Sequence, residues 1–242
     1  MISMLVVVIF SSMTARVIFS PIMPTLREEL GFSLTLAGSL FLILNVSYGV
    51  TLLLAGFLSS RIGHGMAIVV SLTGVALGLV LAASATSVWM LLAGILVMGA
   101  GAGFYPSSGL VMINTKIDEE HRSTAFSFHE IGPNMALLLA PLIVVALRPW
   151  LGWRGVLLSV AGLVVVAALA FWRWGASDSG KGAVPNLSTV GTILRLRTAL
   201  LAMMVLSAAL SGVQGVYAIL PAYLVSAHGL EEDFVNVLVS AS

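Results

Sequence analysis

Residues 62 to 115 read IGHGMAIVVSLTGVALGLVLAASATSVWMLLAGILVMGAGAGFYPSSGLVMINT, a stretch without a single Asp, Glu, Lys or Arg. A helix needs about 20 apolar residues to cross the hydrocarbon of a bilayer, and this stretch is long enough for two such helices. Its residues do not alternate between apolar and polar, as the strands of a membrane barrel do. The stretch therefore predicts two consecutive membrane-spanning helices, over 65–83 and 88–113.

The rest of the chain has the same character. Of its 242 residues 59% are hydrophobic and 9% are charged, and the mean hydropathy is +1.09, whereas a soluble domain has about 25% charged residues. Breaking the apolar runs at polar clusters and turn residues predicts an all-α membrane protein. The other predicted helices are 3–25, 35–59, 123–147, 154–173, 198–224 and the start of a helix from 234 onward.

The loops between these helices differ in their basic residues. One side of the membrane receives seven of them, and the other side receives three. The first group is Arg61, Lys116, Arg122, Arg173, Lys181, Arg195 and Arg197, and the second is Arg27, Arg148 and Arg154. Cytoplasmic loops are enriched in Lys and Arg. We therefore expect a multi-pass protein of the plasma (cytoplasmic) membrane with its N-terminus in the cytoplasm.

The helix pattern also predicts the domain organisation. Residues 1–173 form a six-helix bundle, 174–197 a cytoplasmic linker, and 198–242 the start of a second bundle with helix 7 and part of helix 8. The linker fits either a short helix on the membrane surface or a plain solvated segment. The last apolar segment is too short to span, so we expect the chain to be truncated.

Motifs that suggest catalysis are incomplete. The loop Gly175–Gly182 resembles a phosphate-binding loop but lacks the preceding strand and the Ser or Thr after Lys181. His129-Glu130 starts a zinc-protease motif, yet Pro133 occupies the place of the second histidine. Cysteine is absent, which excludes thiolate sites and disulfides. The sequence therefore predicts no enzyme, no cofactor and no metal, and the net charge of +1 gives no reason to expect a nucleic-acid partner.

Several predicted helices carry polar residues at helical spacing on one face. Such stripes predict helices that line an interior, whereas helices 3 and 6 have almost none. The stripes comprise Ser12, Arg16 and Ser20; Asn45, Tyr48 and Thr51; Tyr105 and Ser108; Ser123, Ser127, Glu130 and Asn134; and Ser207, Ser211, Gln214 and Tyr217.

Two charges fall inside the membrane. Arg16 lies about 20 Å and Glu130 about 10 Å from the cytoplasmic ends of their helices, at ~1.5 Å per residue. Because a charge at mid-membrane costs at least about 2.5 kcal/mol, intramembrane charges are usually functional. We interpret Arg16 as a clamp for an anionic group and Glu130 as a proton-carrying acid. His129 is about 100° around the helix from Glu130, so it either faces a neighbouring helix, which we favour, or shares in proton coupling. Structural charges satisfied by neighbouring groups are the alternative. Pro133 and Pro141 predict a bend near Glu130.

The order of these features resembles the major facilitator superfamily over essentially the whole chain. Gly56-Phe-Leu-Ser-Ser60-Arg61-Ile-Gly63-His64 is similar to the signature between helices 2 and 3, although Ser60 replaces its aspartate. Similar segments are Pro21–Gly38, Gly99-Ala-Gly101-Ala-Gly103, Arg122-Ser-Thr-Ala125 and Leu151-Gly-Trp-Arg-Gly155. Val144 and Val145 replace the glycines of the antiporter motif, so export by antiport is not supported.

The resemblance implies two six-helix halves of 3+3 inverted repeats, a site at the midplane and alternating access. We expect a secondary transporter, monomeric at full length, that moves a small polar or anionic solute, with H⁺ as a possible coupling ion in symport. Alternatives are a multidrug exporter and a non-transporting receptor or assembly protein on the same fold. Expected substrate-binding residues are Arg16, Asn45, Tyr48, Tyr105, Ser108, Asn134, Gln214 and Tyr217; proton-coupling residues are Glu130 and His129; gating residues are Gly56, Arg61, Gly63, Pro133 and Pro141.

Overall fold

The computed structural model describes residues 1–176 and 195–240, without the side chains of residues 199, 206–211, 213 and 214. The described part is helical and contains a short 3-10 turn at Glu119–His121. Its helices are α1 Ile2–Val17, α2 Phe19–Leu30, α3 Leu34–Ile62, α4 His64–Ala83, α5 Val88–Ala102, α6 Tyr105–Lys116, α7 Arg122–Trp174, α8 Arg197–His228 and α9 Glu232–Ser240. The linker prediction falls largely outside the described residues.

Five helical stretches are long and apolar enough to cross a membrane: Ile2–Leu30, Leu34–Ile62, His64–Ala83, Val88–Lys116 and Glu119–Trp174. The first and fourth of these stretches each consist of two helices, α1 with α2 and α5 with α6. Their junctions lie at Ile18 and at Gly103 with Phe104, where the sequence predicts uninterrupted helices. Both expected spans also run further, to Leu30 and to Lys116. The predicted all-α membrane fold is confirmed.

Helix α7 contains two spans, and Gly152 separates them. This residue has φ 64° and ψ 176°, a conformation that side chains with a Cβ rarely adopt. The chain turns back there between the predicted fifth and sixth helices. Pro133 and Pro141 lie inside α7 at helical dihedral angles, so the sharp change of direction occurs at Gly152. The expected bend beside Glu130 is not a break in the helix.

The glycines of α5 allow two helices to approach its backbone from different sides. A Cβ on Gly99 would lie 2.6 Å from the Leu44 carbonyl of α3. A Cβ on Gly101 would lie 2.6 Å from the Gly74 carbonyl carbon of α4. Small residues permit this approach in membranes, where van der Waals packing drives helix association. The glycine run therefore sets the position of α3, which carries Asn45 and Tyr48.

Helix α1 lies along α7, and another glycine sets their distance. A Cβ on Gly132 would lie 2.6 Å from Ile9 Cγ2 and 3.0 Å from the Val6 carbonyl oxygen. Close packing at this point places the helix that bears Arg16 directly beside the helix that bears Glu130. The two predicted intramembrane charges therefore belong to neighbouring helices.

Helices α8 and α9 pack against the other described helices and against each other. The contacts of α8 involve its second half, with Tyr217 and Ala222 packed against the core. In contrast, residues 195–198 and 200–205 are exposed. The second half of α8 is thus attached beside α2 and α7 through Tyr217, while the described side chains at its start are exposed. The space bounded by α1, α3, α7 and α8 is called the cleft below.

Candidate functional site

Arg16 lies in the cleft, on the last turn of α1. Its guanidinium carbon is 4.1 Å from the centroid of the Tyr48 ring, a cation–π contact, and Nη2 donates to Asn45 Oδ1 at 3.4 Å. Its Nε is buried and has no hydrogen-bond partner. Among the residues that the structure describes, no carboxylate forms an ion pair with it. Among the described residues, neutral groups alone hold the guanidinium, and none of them compensates its charge.

A recess of about 30 Å³ adjoins the guanidinium, which is room for a few water-sized groups. Residues from α1, α2, α3 and α8 form its walls: Met13, Arg16, Val17, Ser20, Phe41, Leu44, Asn45, Tyr217 and Ala218. This volume admits a head group such as a carboxylate. A larger solute would extend from the recess into the open cleft.

Tyr217 closes the recess from the α8 side. Its hydroxyl donates to the Leu137 carbonyl of α7 at 3.0 Å, and its own carbonyl accepts from Ser20 Oγ of α2 at 2.5 Å. The two hydrogen bonds attach α8 to both α2 and α7 beside Arg16. Gln214 was also expected here, but its side chain lies outside the described part of the structure.

The polar stripe of α7 faces the cleft. Ser123, Ser127, Glu130 and Asn134 are all exposed, and the Glu130 side chain is 65% exposed. Asn134 Nδ2 donates to the Glu130 carbonyl at 2.7 Å. Because a charge that faces lipid is costly, the exposure of Glu130 on a spanning helix is consistent with the interior that the polar stripe predicts.

His129 points the other way, into the bundle. It is 5% exposed, and its Nδ1 lies 3.2 Å from Glu130 Oε1. Its Nε2 lies 2.8 Å from the Tyr105 hydroxyl oxygen, which is also 3.3 Å from the Leu5 carbonyl oxygen of α1. The acid at the cleft surface is therefore joined to α1 by a line of close polar contacts.

Two residues that we expected to contact substrate are buried. Tyr105 is 1% exposed and Ser108 is fully buried, with its Oγ 3.3 Å from His64 Nδ1. Both lie on α6, which turns this face toward α1, α4 and α7 because the polar partners of these hydroxyls are there. Neither hydroxyl reaches the cleft. The sequence stripe did not distinguish a cavity face from a polar contact between helices.

Three of the five expected gating residues lie at the other end of α3, and Pro133 and Pro141 lie inside α7. Gly56 is half-buried and Arg61 is exposed, while Gly63 is buried with φ 85° in the turn between α3 and α4. Among the described residues Arg61 forms no ion pair. Ser60 Oγ, at the position of the signature aspartate, donates to the Phe57 carbonyl of its own helix at 2.9 Å.

A cluster that the sequence did not reveal joins α9 to the other helices. Arg148 of α7 pairs with Glu232 and Asp233 of α9, each at 2.5 Å, and Thr25 Oγ1 of α2 donates to Glu232 at 2.8 Å. Burial raises the pKa of the Glu232 carboxyl, and the Thr25 hydrogen bond and the Arg148 charge oppose this rise. Sequence reasoning counted Arg148 only toward orientation. Its partners are more than 80 residues away, and no local pattern connects them.

Loss of Arg148 should open this end of the cleft. The chain has no cysteine, so Ser20→Cys introduces a single thiol at this end. We expect Arg148→Ala, combined with Ser20→Cys, to raise the labelling rate of that thiol by about tenfold or more. The reason is that removing one partner of a partly buried ion pair leaves charges unpaired, and ~1.4 kcal/mol corresponds to tenfold. The measurement is the labelling rate with a membrane-impermeant thiol reagent, applied to the membrane face that bears residues 31–33.

Arg154→Ala is the matched control for this experiment. Arg154 of α7 pairs with Glu29 of α2, so this ion pair involves neither α8 nor α9. Trp153 Nε1 also donates to Glu29, at 2.5 Å. Its loss should leave labelling of the cysteine at position 20 close to the wild-type rate. Equal rates in all three proteins would contradict a role of Arg148 in closing the cleft.

Comparison with solved structures shows a known fold. A bacterial homologue of the human lysosomal transporter Spinster, in an inward-facing and unoccupied conformation, superposes with a TM-score of 0.84 at 15% identity, covering 98% of this chain and 57% of that one. A D-xylose-proton symporter gives a TM-score of 0.69 at 17% identity, covering 99% and 64%. At these identities the likeness concerns the fold alone.

Sequence comparison finds relatives in several organisms. A multidrug transporter of Aspergillus fumigatus, mfsC, is 26% identical over 62% of this chain and 30% of its own length. A probable L-galactonate transporter of Escherichia coli is 24% identical over 61% of this chain and 33% of its own length. The aligned parts thus span about a third of these curated relatives. The family model of the Major Facilitator Superfamily matches residues 5–242. The chain therefore belongs to the major facilitator superfamily.

Proposed function

We propose that this chain is the part of a secondary transporter that binds a small organic anion, such as a carboxylate, and couples its movement to protons by alternating access. The observation that carries the proposal is the uncompensated guanidinium of Arg16 beside a head-group-sized recess. A family relative named as a probable L-galactonate transporter supports the solute class, since galactonate is a sugar acid.

The chemistry of Arg16 supports an anion in particular. Guanidinium is planar and donates two parallel hydrogen bonds to a carboxylate, and such pairs are strong where water is excluded. Tyr48 and Asn45 hold the group without neutralising it, so the attraction remains available to a solute. An anion would restore charge balance in a place where an unpaired charge is costly.

Glu130 supports proton coupling. A carboxylic acid that is exposed to the cleft on a spanning helix exchanges its proton with the solution that fills the cleft. An anion bound at Arg16 and a proton bound at Glu130 would lie in the same cleft, and their charges would sum to zero. This arrangement suits symport, and the D-xylose-proton symporter has the same fold.

The shape of the cleft supports alternating access. At one end, contacts of Ser20 with Tyr217 and of Arg148 with Glu232 join the helices. At the other end, the described side chains at the start of α8 are exposed. The open end is the side that receives most of the basic residues, which we assign to the cytoplasm. The described form would then be inward-open, in the cytoplasmic membrane, and outward opening would require the closed end to separate.

The test uses the whole gene product in liposomes with an imposed pH gradient. We expect uptake of small radiolabelled carboxylates when the outside is acidic, and little uptake of their primary amides, which have the same shape without the charge. A binding screen gives a second measurement, because a ligand at 100 times its Kd adds about 2.7 kcal/mol of stability. Equal uptake of acid and amide, or transport of lipophilic cations instead, would reject the anion proposal.

A further inference from the structure

Tyr105 has a single hydroxyl hydrogen and two acceptors within reach. His129 Nε2 is 2.8 Å away and the Leu5 carbonyl oxygen is 3.3 Å away. A phenol donates one hydrogen bond but also accepts, and an imidazole nitrogen donates or accepts according to its protonation. The direction of the Tyr105 hydroxyl therefore depends on whether His129 carries a hydrogen on Nε2.

The protonation of His129 depends in turn on Glu130. When Glu130 is ionised and His129 is neutral, Nδ1–H donates to the carboxylate, so Nε2 is bare and accepts from Tyr105. When the pair has taken up one proton, its charge changes from −1 to 0 and Nε2 carries a hydrogen. Nε2–H then donates to the Tyr105 oxygen, and the Tyr105 hydrogen turns to Leu5. No atom other than the proton is gained.

We propose that Tyr105 is a positioning residue that links proton binding at the His129–Glu130 pair to helix α1, through a hydrogen bond to Leu5 that forms only when the pair is protonated. Helix α1 bears Arg16, so the same line connects the proton site with the proposed anion site. The inference rests on the proposed function only in treating Glu130 as the transport acid.

Other charges near the line have their own partners or lie elsewhere. Helices α2 and α9 and the 3-10 turn also pack against α7, and the ion pairs of α2 and α9 are with Arg154 and Arg148. Helices α1, α4 and α6 contribute four titratable groups among the residues that the structure describes: Arg16, His64, Tyr105 and Lys116. Arg16 contacts Tyr48 and Asn45, and His64 contacts Ser108. Arg122 of α7 donates to the Ile117 carbonyl. Tyr105 therefore stands alone among them as the neighbour of His129 Nε2.

Counting hydrogen bonds gives the expected effect of Tyr105→Phe. In the protonated form the line has three hydrogen bonds, Glu130–His129, His129–Tyr105 and Tyr105–Leu5, and Tyr105→Phe loses the last two. In the ionised form it has only the first two, and the variant loses one. The net loss of one bond from the protonated form should move the half-maximal pH of transport down by about half to one unit. The KM for the solute at saturating proton concentration should rise as well, because coupling between two sites is reciprocal and the lost bond joins the proton site to the helix of Arg16. Tyr105 is 1% exposed, so this rise does not come from a lost contact with solute.

Tyr223→Phe is the matched control. Tyr223 is 46% exposed, makes an edge contact with His228 and lies outside the proposed sites. Its variant should keep the wild-type pH profile. Tyr105→Phe retains the buried ring, and its unfolding temperature in detergent shows whether the fold is intact.

Nitrogen-15 NMR of the whole protein tests the inference without transport. The His129 signals are assigned by their loss in His129→Gln. Lowering the pH should change Nε2 from an acceptor to an N–H nitrogen in the wild type, at a lower pH in Tyr105→Phe. An Nε2 that keeps one state through the titration of Glu130, or an unshifted Tyr105→Phe profile, would overturn the inference. Suppose that transport by Glu130→Gln keeps the wild-type pH dependence, while His129 Nε2 of the wild type still changes state with pH. The proposed transport acid is then wrong, and the hydrogen-bond line stands.

Discussion

Arg16→Ala should lower carboxylate uptake by at least about thirtyfold. Truncating one member of a buried, hydrogen-bonded charge pair costs about 2 to 5 kcal/mol, and each 1.4 kcal/mol is a factor of ten. The variant would leave the recess beside Tyr217 and Asn45 in place without the charge that attracts the anion. Initial uptake rates in liposomes across a range of solute concentrations measure the loss.

Arg16→Lys separates charge from geometry. Lysine keeps the positive charge but cannot donate two parallel hydrogen bonds or stack on Tyr48 in the same way, so we expect a weaker, intermediate loss expressed mainly in KM. Arg173→Ala, at the exposed end of α7, is the control for removing one positive charge and should transport like wild type. Wild-type uptake by Arg16→Ala, at equal protein content and unfolding temperature, would refute the assignment.

Glu130→Gln should abolish accumulation of solute against its gradient. Glutamine has the shape of the protonated acid but releases no proton, so the variant resembles a permanently protonated carrier. We expect uptake driven by a pH gradient to fall to the level without a gradient, a loss of at least about tenfold. Exchange of labelled for unlabelled solute, which requires no proton release, should persist.

The comparison of these two fluxes distinguishes coupling from binding. Glu120→Gln serves as the matched control, because Glu120 is exposed in the short 3-10 turn and pairs with no described group. It should accumulate solute like the wild type. If Glu130→Gln still accumulates solute, another group carries the proton; if it also loses exchange, Glu130 belongs to solute binding instead.

Hydropathy predicted the helices because the bilayer restricts the choice. Backbone groups in hydrocarbon must bond within their own segment, so a long uncharged stretch such as 62–115 forms helices. Helix ends were predicted to within a few residues at Ala83 and Trp174. The junctions in Ile2–Leu30 and Val88–Lys116 were missed because the apolar runs continue through them, although Pro21 follows the first and Gly103 and Pro106 flank the second.

Single intramembrane charges were also visible in the sequence, because their cost is high wherever they lie. Arg16 and Glu130 stood out by residue type alone. Their neighbours did not: periodicity grouped Tyr105 and Ser108 with the cleft residues, although both are buried between helices. Residues on a polar face are compatible with water or with a neighbouring helix, and only packing decides between the two.

The sequence by itself therefore determined that this chain is a helical membrane protein, where most of its spans lie, and which two charges lie inside them. The tertiary structure alone decided that Arg16 lies over Tyr48, that His129 joins Glu130 to Tyr105, and that Arg148 pairs with Glu232 and Asp233. The physical reason is range. Hydropathy and helical spacing act within about 20 residues, whereas these contacts join separate helices that close packing at glycines brings together.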